Sequence, residues 1–199
     1  MLEARDLECE RGGKKLFRPL AFALAPGETL RVAGANGSGK TSLLRILCGL
    51  LTPSAGEVRW KGESIRALGE EYARQLVYLG HAPAVKDELT AAENLAIACR
   101  IAGTPASAAE IHAALILFQV PESPVGKLSQ GQRRRAALAR LRLSASVPLW
   151  LLDEPLTALD AAAAELAKDL IRNHAGSGGA VIYSTHQDAG LRDSRVVEL

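Results

Sequence analysis

Gly34-Ala35-Asn36-Gly37-Ser38-Gly39-Lys40-Thr41 decides how the rest of the chain is read. It has the spacing G-x-x-x-x-G-K-[ST], and its flanks matter as much as its letters. Upstream, Glu28 to Ala33 is a short apolar run after a Pro26-Gly27 turn, the mark of a strand. Downstream, Leu43, Leu44, Leu47, Leu50 and Leu51 recur at helical spacing, which predicts a helix over 40–51. A glycine-rich turn from strand into helix lets successive backbone N–H groups curl inward around an anion, and the helix N-terminus adds partial positive charge at the same spot. Phosphate oxygens are the expected anion. Lys40 supplies a point charge for β- and γ-phosphates, Thr41 offers a hydroxyl to Mg²⁺, and Ser42 closes the phosphate-binding stretch.

A second landmark lies far along the chain. Leu149-Trp150-Leu151-Leu152 is wholly apolar and ends in Asp153-Glu154, and Ala180-Val181-Ile182-Tyr183 is a similar run. Such runs suit strands buried on both faces of a parallel sheet. Carboxylates at the C-terminal end of a buried strand sit where ligands bind in open α/β sheets. Asp153 is therefore expected to hold Mg²⁺, and Glu154 to face the γ-phosphate and polarise an attacking water.

Around these landmarks the chain changes character. Leu16 to Ala25, Val58 to Lys61 and Gln75 to Leu79 read as strands, whereas Leu89 to Leu143 is rich in Ala and Leu with few strand signals. Thr90 with Glu93 forms a capping box, a second helix is expected from Ser107 to Gln119 before Pro121 and Pro124, and a third from Gln132 to Leu143. Ser129 is an apt N-cap for that third helix, Gln132 completes its box, and Gly131 leaves room for a close backbone approach. A start of this kind can contact a phosphate, but from the residues alone an ordinary cap is the favoured reading. Asp160 likewise reads as an N-cap before Ala161 to Ala164. The whole is an α/β chain with a nucleotide-binding core over 1–82 and 146–199 and a helical insertion over 83–145.

The 199 residues, 21.1 kDa, suffice for one domain with its own core. Lys plus Arg number 24 and Asp plus Glu 22, so a formal charge of +2 gives no bulk attraction to nucleic acid. Arg133, Arg134 and Arg135 are consecutive, spread around a helix, and read as solvated or subunit-facing. Cys9, Cys48 and Cys99 are scattered, which argues against a disulfide scaffold or zinc module. Met1 to Arg11 mixes acids, bases and apolar residues, unlike a signal peptide, and no apolar run is long enough to span a bilayer. A cytosolic chain is expected, with any membrane spans supplied by other subunits.

With these motifs in this order, the chain resembles the ATP-binding cassette (ABC) ATPases over essentially its whole length. Leu128-Ser129-Gln130-Gly131-Gln132 resembles the family's LSGGQ signature, with Gln130 in place of its first glycine. Leu156-Thr157-Ala158-Leu159-Asp160 resembles its D-loop, and His186 in Ser184-Thr185-His186 its switch histidine. His81, in Gly80-His81-Ala82-Pro83, stands where most members carry the Q-loop glutamine. The resemblance implies a P-loop NTPase fold of ABC type, with a mixed sheet core, an N-terminal antiparallel β part and an inserted α-helical subdomain. It implies ATP and Mg²⁺, and a head-to-tail dimer in which Ser129, Gly131, Gln132 and Asp160 complete the nucleotide site of a second copy. His186 is implied to hydrogen-bond the γ-phosphate and the attacking water, and His81 to reach Mg²⁺ or water. The family's adenine-stacking aromatic is missing near Glu10 and Arg11, and the Arg11 guanidinium is the substitute on the base. Triphosphate recognition is thus better supported than adenine recognition.

The segment around His81, Lys86 to Leu95, and Gln132 to Arg135 with Ala137 to Leu141 resemble the ATP-binding subunits of cytochrome c biogenesis (Ccm) systems. That implies a CcmB-like membrane subunit, CcmC-, CcmD- and CcmE-like haem-handling proteins nearby, and a peripheral place on the cytoplasmic face of the inner membrane. It also implies ATP hydrolysis linked to release of the haem-loaded chaperone. The ATPase of another ABC transporter, for lipid or a small solute, and a soluble ABC ATPase are the alternatives. The four histidines, His81, His112, His174 and His186, include no Cys-x-x-Cys-His, so direct haem binding is not expected. His112 and His174 read as solvated helix residues.

Overall fold

The computed structural model describes residues 1–186, 190–191 and 194–199. The chain opens with β1 (Leu2–Arg11), β2 (Lys14–Leu24), β3 (Thr29–Ala33) and α1 (Lys40–Leu47), and returns with β4 (Ala55–Trp60) and β5 (Glu63–Ser64). Two single turns, α2 (Ile65–Leu68) and α3 (Glu70–Ala73), lead to β6 (Leu76–Leu79). Three longer helices follow, α4 (Ala91–Ile101), α5 (Ala108–Leu117) and α6 (Gln130–Leu143). Then come β7 (Leu149–Leu152), α7 (Ala161–Gly176), β8 (Ala180–Thr185) and β9 (Arg195–Glu198). The strands form two sheets: an antiparallel one in the order β2-β1-β4-β5, and a parallel one in the order β6-β7-β8-β3-β9.

The parallel sheet divides its side chains between two cores, as the two-residue period of a strand requires. Val77, Trp150, Leu152, Val181 and Tyr183 point to one face and pack with α4, α5, α6 and α7. Leu149, Leu151, Ala180 and Ile182 point to the other and pack with α1 and the antiparallel sheet. All four residues of β7 are buried, so the apolar run carries neither face to water. Truncating Leu149, Leu151 or Leu152 to alanine costs about 2–5 kcal/mol, the range for buried leucines.

Several element ends differ from the sequence expectation. Helix α1 stops at Leu47 rather than Leu51, because Gly49 adopts a left-handed φ of 78° and ends the turn, leaving Leu50 exposed. Helix α6 starts at Gln130, since a box between Ser129 and Gln132 makes the residue after Ser129 the first helical one. Helix α5 ends at Leu117, with Gln119 left-handed at φ 52°. His174 is not solvated. It is 6% exposed, stacks on Trp150 with ring centroids 3.8 Å apart, and shares the inner stripe of α7 with Ala167 and Ile171. Desolvation lowers its pKa to about 4, so the ring is held neutral. His112 is exposed on α5, as expected.

Candidate functional site

Strand β3 delivers the glycine-rich loop, and α1 begins at Lys40 directly after it. Gly39, the residue before α1, has φ 106°, and a Cβ there would lie 3.0 Å from the Phe17 ring. A Cβ on Gly34 would lie 2.6 Å from the Ser38 hydroxyl. Both positions therefore require glycine, and the loop stays tight against the backbone. The Lys40 ammonium is 6% exposed and donates to the carbonyls of Gly34 at 2.8 Å and Ala35 at 3.0 Å.

Strand β7 carries the two acids to the same place. Asp153 is fully buried, and two hydroxyls satisfy it: Thr41 donates to Oδ2 at 2.7 Å and Ser184 to Oδ1 at 2.6 Å. Asp153 thus joins the first turn of α1 to the end of β8. Glu154 follows with a left-handed φ of 50°, a conformation that costs a non-glycine residue about 1–2 kcal/mol. That turn swings its carboxylate out toward the cleft. Oε1 lies 3.8 Å from Lys40 Nζ, and Oε2 accepts from Thr157 Oγ1 at 3.0 Å and lies 3.1 Å from His186 Nδ1. The Glu154 N–H donates to Ser184 Oγ at 2.9 Å.

An open cleft runs over this cluster, lined by Arg11, Leu16, Asn36, Gly37, Gly39, Lys40, Thr41, Ser42, His81, Glu154, Thr157 and His186. Expected residues from five separate stretches thus converge. Asp153 sits beneath, reached through Thr41. Arg11, at the end of β1, and Leu16 also line the cleft. Phe17, the aromatic nearest in sequence, is buried against the loop.

Ser129, Gly131, Gln132 and Asp160 do not line this cleft. Ser129 caps α6, with its hydroxyl accepting from the Gln132 N–H at 3.2 Å and its own N–H donating to the Gln132 side chain at 2.9 Å. The close approach expected at Gly131 is made by the Ala158 carbonyl, 3.0 Å from where a Cβ would stand. Asp160 caps α7 through the Ala163 N–H at 2.9 Å and is paired with Arg135.

Four contributors were not anticipated from the sequence. Leu16 lines the cleft, Ser184 bridges the two acids, and Thr157 steadies the Glu154 carboxylate. Arg134 is the fourth, and it corrects the expectation of a solvated or subunit-facing side chain: it is 5% exposed. A signal for it lay in the spacing. Arg134 stands four residues before Leu138 and seven before Leu141, on the stripe that α6 buries.

A family model described as "ABC transporter" matches residues 17–157. The cytochrome c biogenesis ATP-binding export protein CcmA of Nitrosomonas europaea is 52% identical over 193 residues, 94% of this chain and 89% of that one. The protein of the same name from Pseudomonas aeruginosa is 47% identical over 202 residues, covering 100% and 99%. Among solved structures, an ATP-binding subunit of an ABC transporter superposes with a TM-score of 0.86 at 26% identity, covering 100% of this chain and 85% of that one. The dimeric cassette MJ0796 bound to ADP and Pi in a post-hydrolysis state superposes with a TM-score of 0.87 at 23% identity, covering 100% and 94%. The chain belongs to the ABC transporter family as one of its ATP-hydrolysing cassettes, and within that family to the cytochrome c biogenesis ATP-binding export proteins.

Proposed function

We propose that this chain drives a cytochrome c biogenesis export complex by closing with a second copy, head to tail, over two molecules of ATP. The observation that carries the reading is the convergence of Lys40, Thr41, Glu154 and His186 on one cleft that Ser129 and Gly131 do not reach. A site with a phosphate loop and a base, but with its matching capped helix elsewhere, is completed by a partner copy that presents that helix. The dimeric state named for MJ0796 supports a pairing of two copies.

Within the cleft each group has a task. The loop amides and Lys40 hold the β- and γ-phosphates. The Thr41 hydroxyl and the Asp153 carboxylate, 2.7 Å apart, are hard oxygen donors at the phosphate loop and fit Mg²⁺. That ion, when bound, neutralises charge developing on the transferred phosphoryl group. Glu154 Oε2 accepts the proton of the attacking water, and Lys40 lies 3.8 Å from Oε1. His186 Nδ1 holds Glu154 in place while its other nitrogen is left for the γ-phosphate. Loss of the γ-phosphate removes the bridge between Lys40 of one copy and Ser129 of the other, and the pair opens.

Residues 83–145 act as the helical subdomain that moves against the core of 1–82 and 146–199. Pro83, Val85, Leu95, Ala136 and Arg140 border an apolar groove beside the His81 loop, suited to a cytoplasmic helix of a CcmB-like membrane subunit. CcmC-, CcmD- and CcmE-like proteins complete the complex, and ATP turnover drives release of the haem-loaded chaperone. No helix among the described residues is long and apolar enough to cross a membrane. In this reading the membrane spans belong to other subunits, and the chain sits peripherally on the cytoplasmic face of the inner membrane. Glu154→Gln tests the reading. It is expected to bind ATP, trap a dimer on size exclusion and lower kcat at least about 100-fold. Unchanged turnover would remove Glu154 as the base.

A further inference from the structure

Arg134 is a buried cation that the hydrolysis chemistry above leaves without a task. It forms no ion pair within 4 Å among the described residues. Its guanidinium donates instead to backbone carbonyls: Nη1 to Gly80 at 2.9 Å and His81 at 3.3 Å, and Nη2 to Asp153 at 2.7 Å and Glu154 at 2.6 Å. Burial lowers its pKa, and the nearby Asp153 and Glu154 charges oppose that shift. A planar fork can serve two pairs of carbonyls at once, which an ammonium cannot.

These carbonyls belong to two loops that leave the parallel sheet side by side. Leu79 of β6 pairs with Leu152 of β7, and the Asp153 N–H donates to the Leu79 carbonyl at 2.7 Å. Beyond that point one loop carries His81 and the other Glu154. The left-handed Glu154 residue is gripped on both sides, its N–H by Ser184 and its C=O by Arg134. Arg134 rides on α6 with Ser129, five residues or about 7.5 Å along the same helix axis.

The geometry points to Arg134 as a positioning residue that fixes the Glu154 and His81 backbones and ties them to the capped start of α6. That grip therefore shares one helix with Ser129, the residue proposed to meet a partner copy's nucleotide. This rests on the reading of Glu154 as base and of Ser129 as the contact with the partner's ATP.

The test uses the full chain with Arg134→Ala and Arg134→Lys, following kcat, KM, affinity for a fluorescent ATP analogue and melting temperature. The expected result is a kcat lowered about tenfold or more in Arg134→Ala, with nucleotide affinity within about twofold of wild type. Millimolar methylguanidinium is expected to recover part of that kcat, and Arg134→Lys to fall between. A role confined to folding would lower affinity and melting temperature together and would respond to neither rescue, which would overturn the proposal. If Arg134→Ala does not fold, Arg134→Lys decides: reduced kcat with intact affinity supports the proposal, and wild-type kcat overturns it. Turnover lost in Glu154→Gln but kept in Arg134→Ala overturns this proposal alone. Turnover surviving in Glu154→Gln overturns the base assignment and this proposal with it.

Discussion

Helices α4, α5 and α6 begin with the same device and differ in one charge. Thr90, Ser107 and Ser129 each accept from the backbone N–H three residues on, and Glu93, Glu110 and Gln132 each reach back to the N-cap N–H. The geometry is shared, but the third residue is an acid in α4 and α5 and a neutral amide in α6. A carboxylate at that position neutralises the positive end of the helix, whereas an amide leaves it available. The Glu93 carboxyl is pulled below the usual carboxylate range by the Thr90 N–H and hydroxyl, and the Glu110 carboxyl by the Ser107 hydroxyl and N–H. Those two helix starts are already charge-satisfied. Of these three helices α6 alone starts without a carboxylate, and that is the helix proposed to close over a partner's triphosphate.

Putting the acid of the other two boxes into α6 attacks this contrast most directly. Gln132→Glu keeps the cap, so melting temperature should hold or rise, yet ATP-dependent dimerisation in a Glu154→Gln background should weaken about tenfold or more through like-charge repulsion. Unchanged dimerisation would mean that the α6 start meets no phosphate. Lys40→Ala, in the other half of the composite site, should lower ATP affinity at least about tenfold by isothermal titration, as loss of a charged phosphate contact does. It should leave the fold intact.

Ser129→Ala should cost about 1 kcal/mol of stability as a lost N-cap, and weaken the ATP-bound dimer as well. Thr90→Ala should show a cost of that size with no effect on dimerisation, and equal behaviour of the two variants would erase the distinction. His174 bears on stability alone. Its folded pKa of about 4 lies below the ordinary 6.5, so its contribution is complete above about 6.5 and fades as pH falls toward 4. His174→Phe, which keeps a ring on Trp150, should flatten the melting temperature over that window, measured by calorimetry.

The smallest effect is expected at Glu93. Its lowered pKa gives stability above the unfolded value that is lost as pH falls through the folded one, so Glu93→Gln should lose this acid-side dependence while turnover stays at wild type.

Much of this architecture was legible in the chain itself. The glycine-rich loop, the buried β7 run ending in Asp153-Glu154 and the box at Ser129 depend on local backbone chemistry and on short periodicities, so spacing reveals them. Helix ends were less legible where one residue's conformation overrode an apolar stripe, as Gly49 did for Leu50 and Leu51. Arg134 and His174 were misread because a polar side chain enters a core only when partners far away in sequence satisfy it. Those partners are the carbonyls of Gly80, His81, Asp153 and Glu154 for the first and the Trp150 ring for the second.

From sequence alone came the class of fold, the glycine-rich phosphate loop and the pair of acids at the end of β7, since each is written in residues close together along the chain. Tertiary structure alone decided that Ser184 bridges the acids, that Arg134 grips two loops at once, and that Ser129 stands away from the cleft holding Lys40. Such facts depend on which distant segments the two cores bring together, and neighbouring residues carry no record of that.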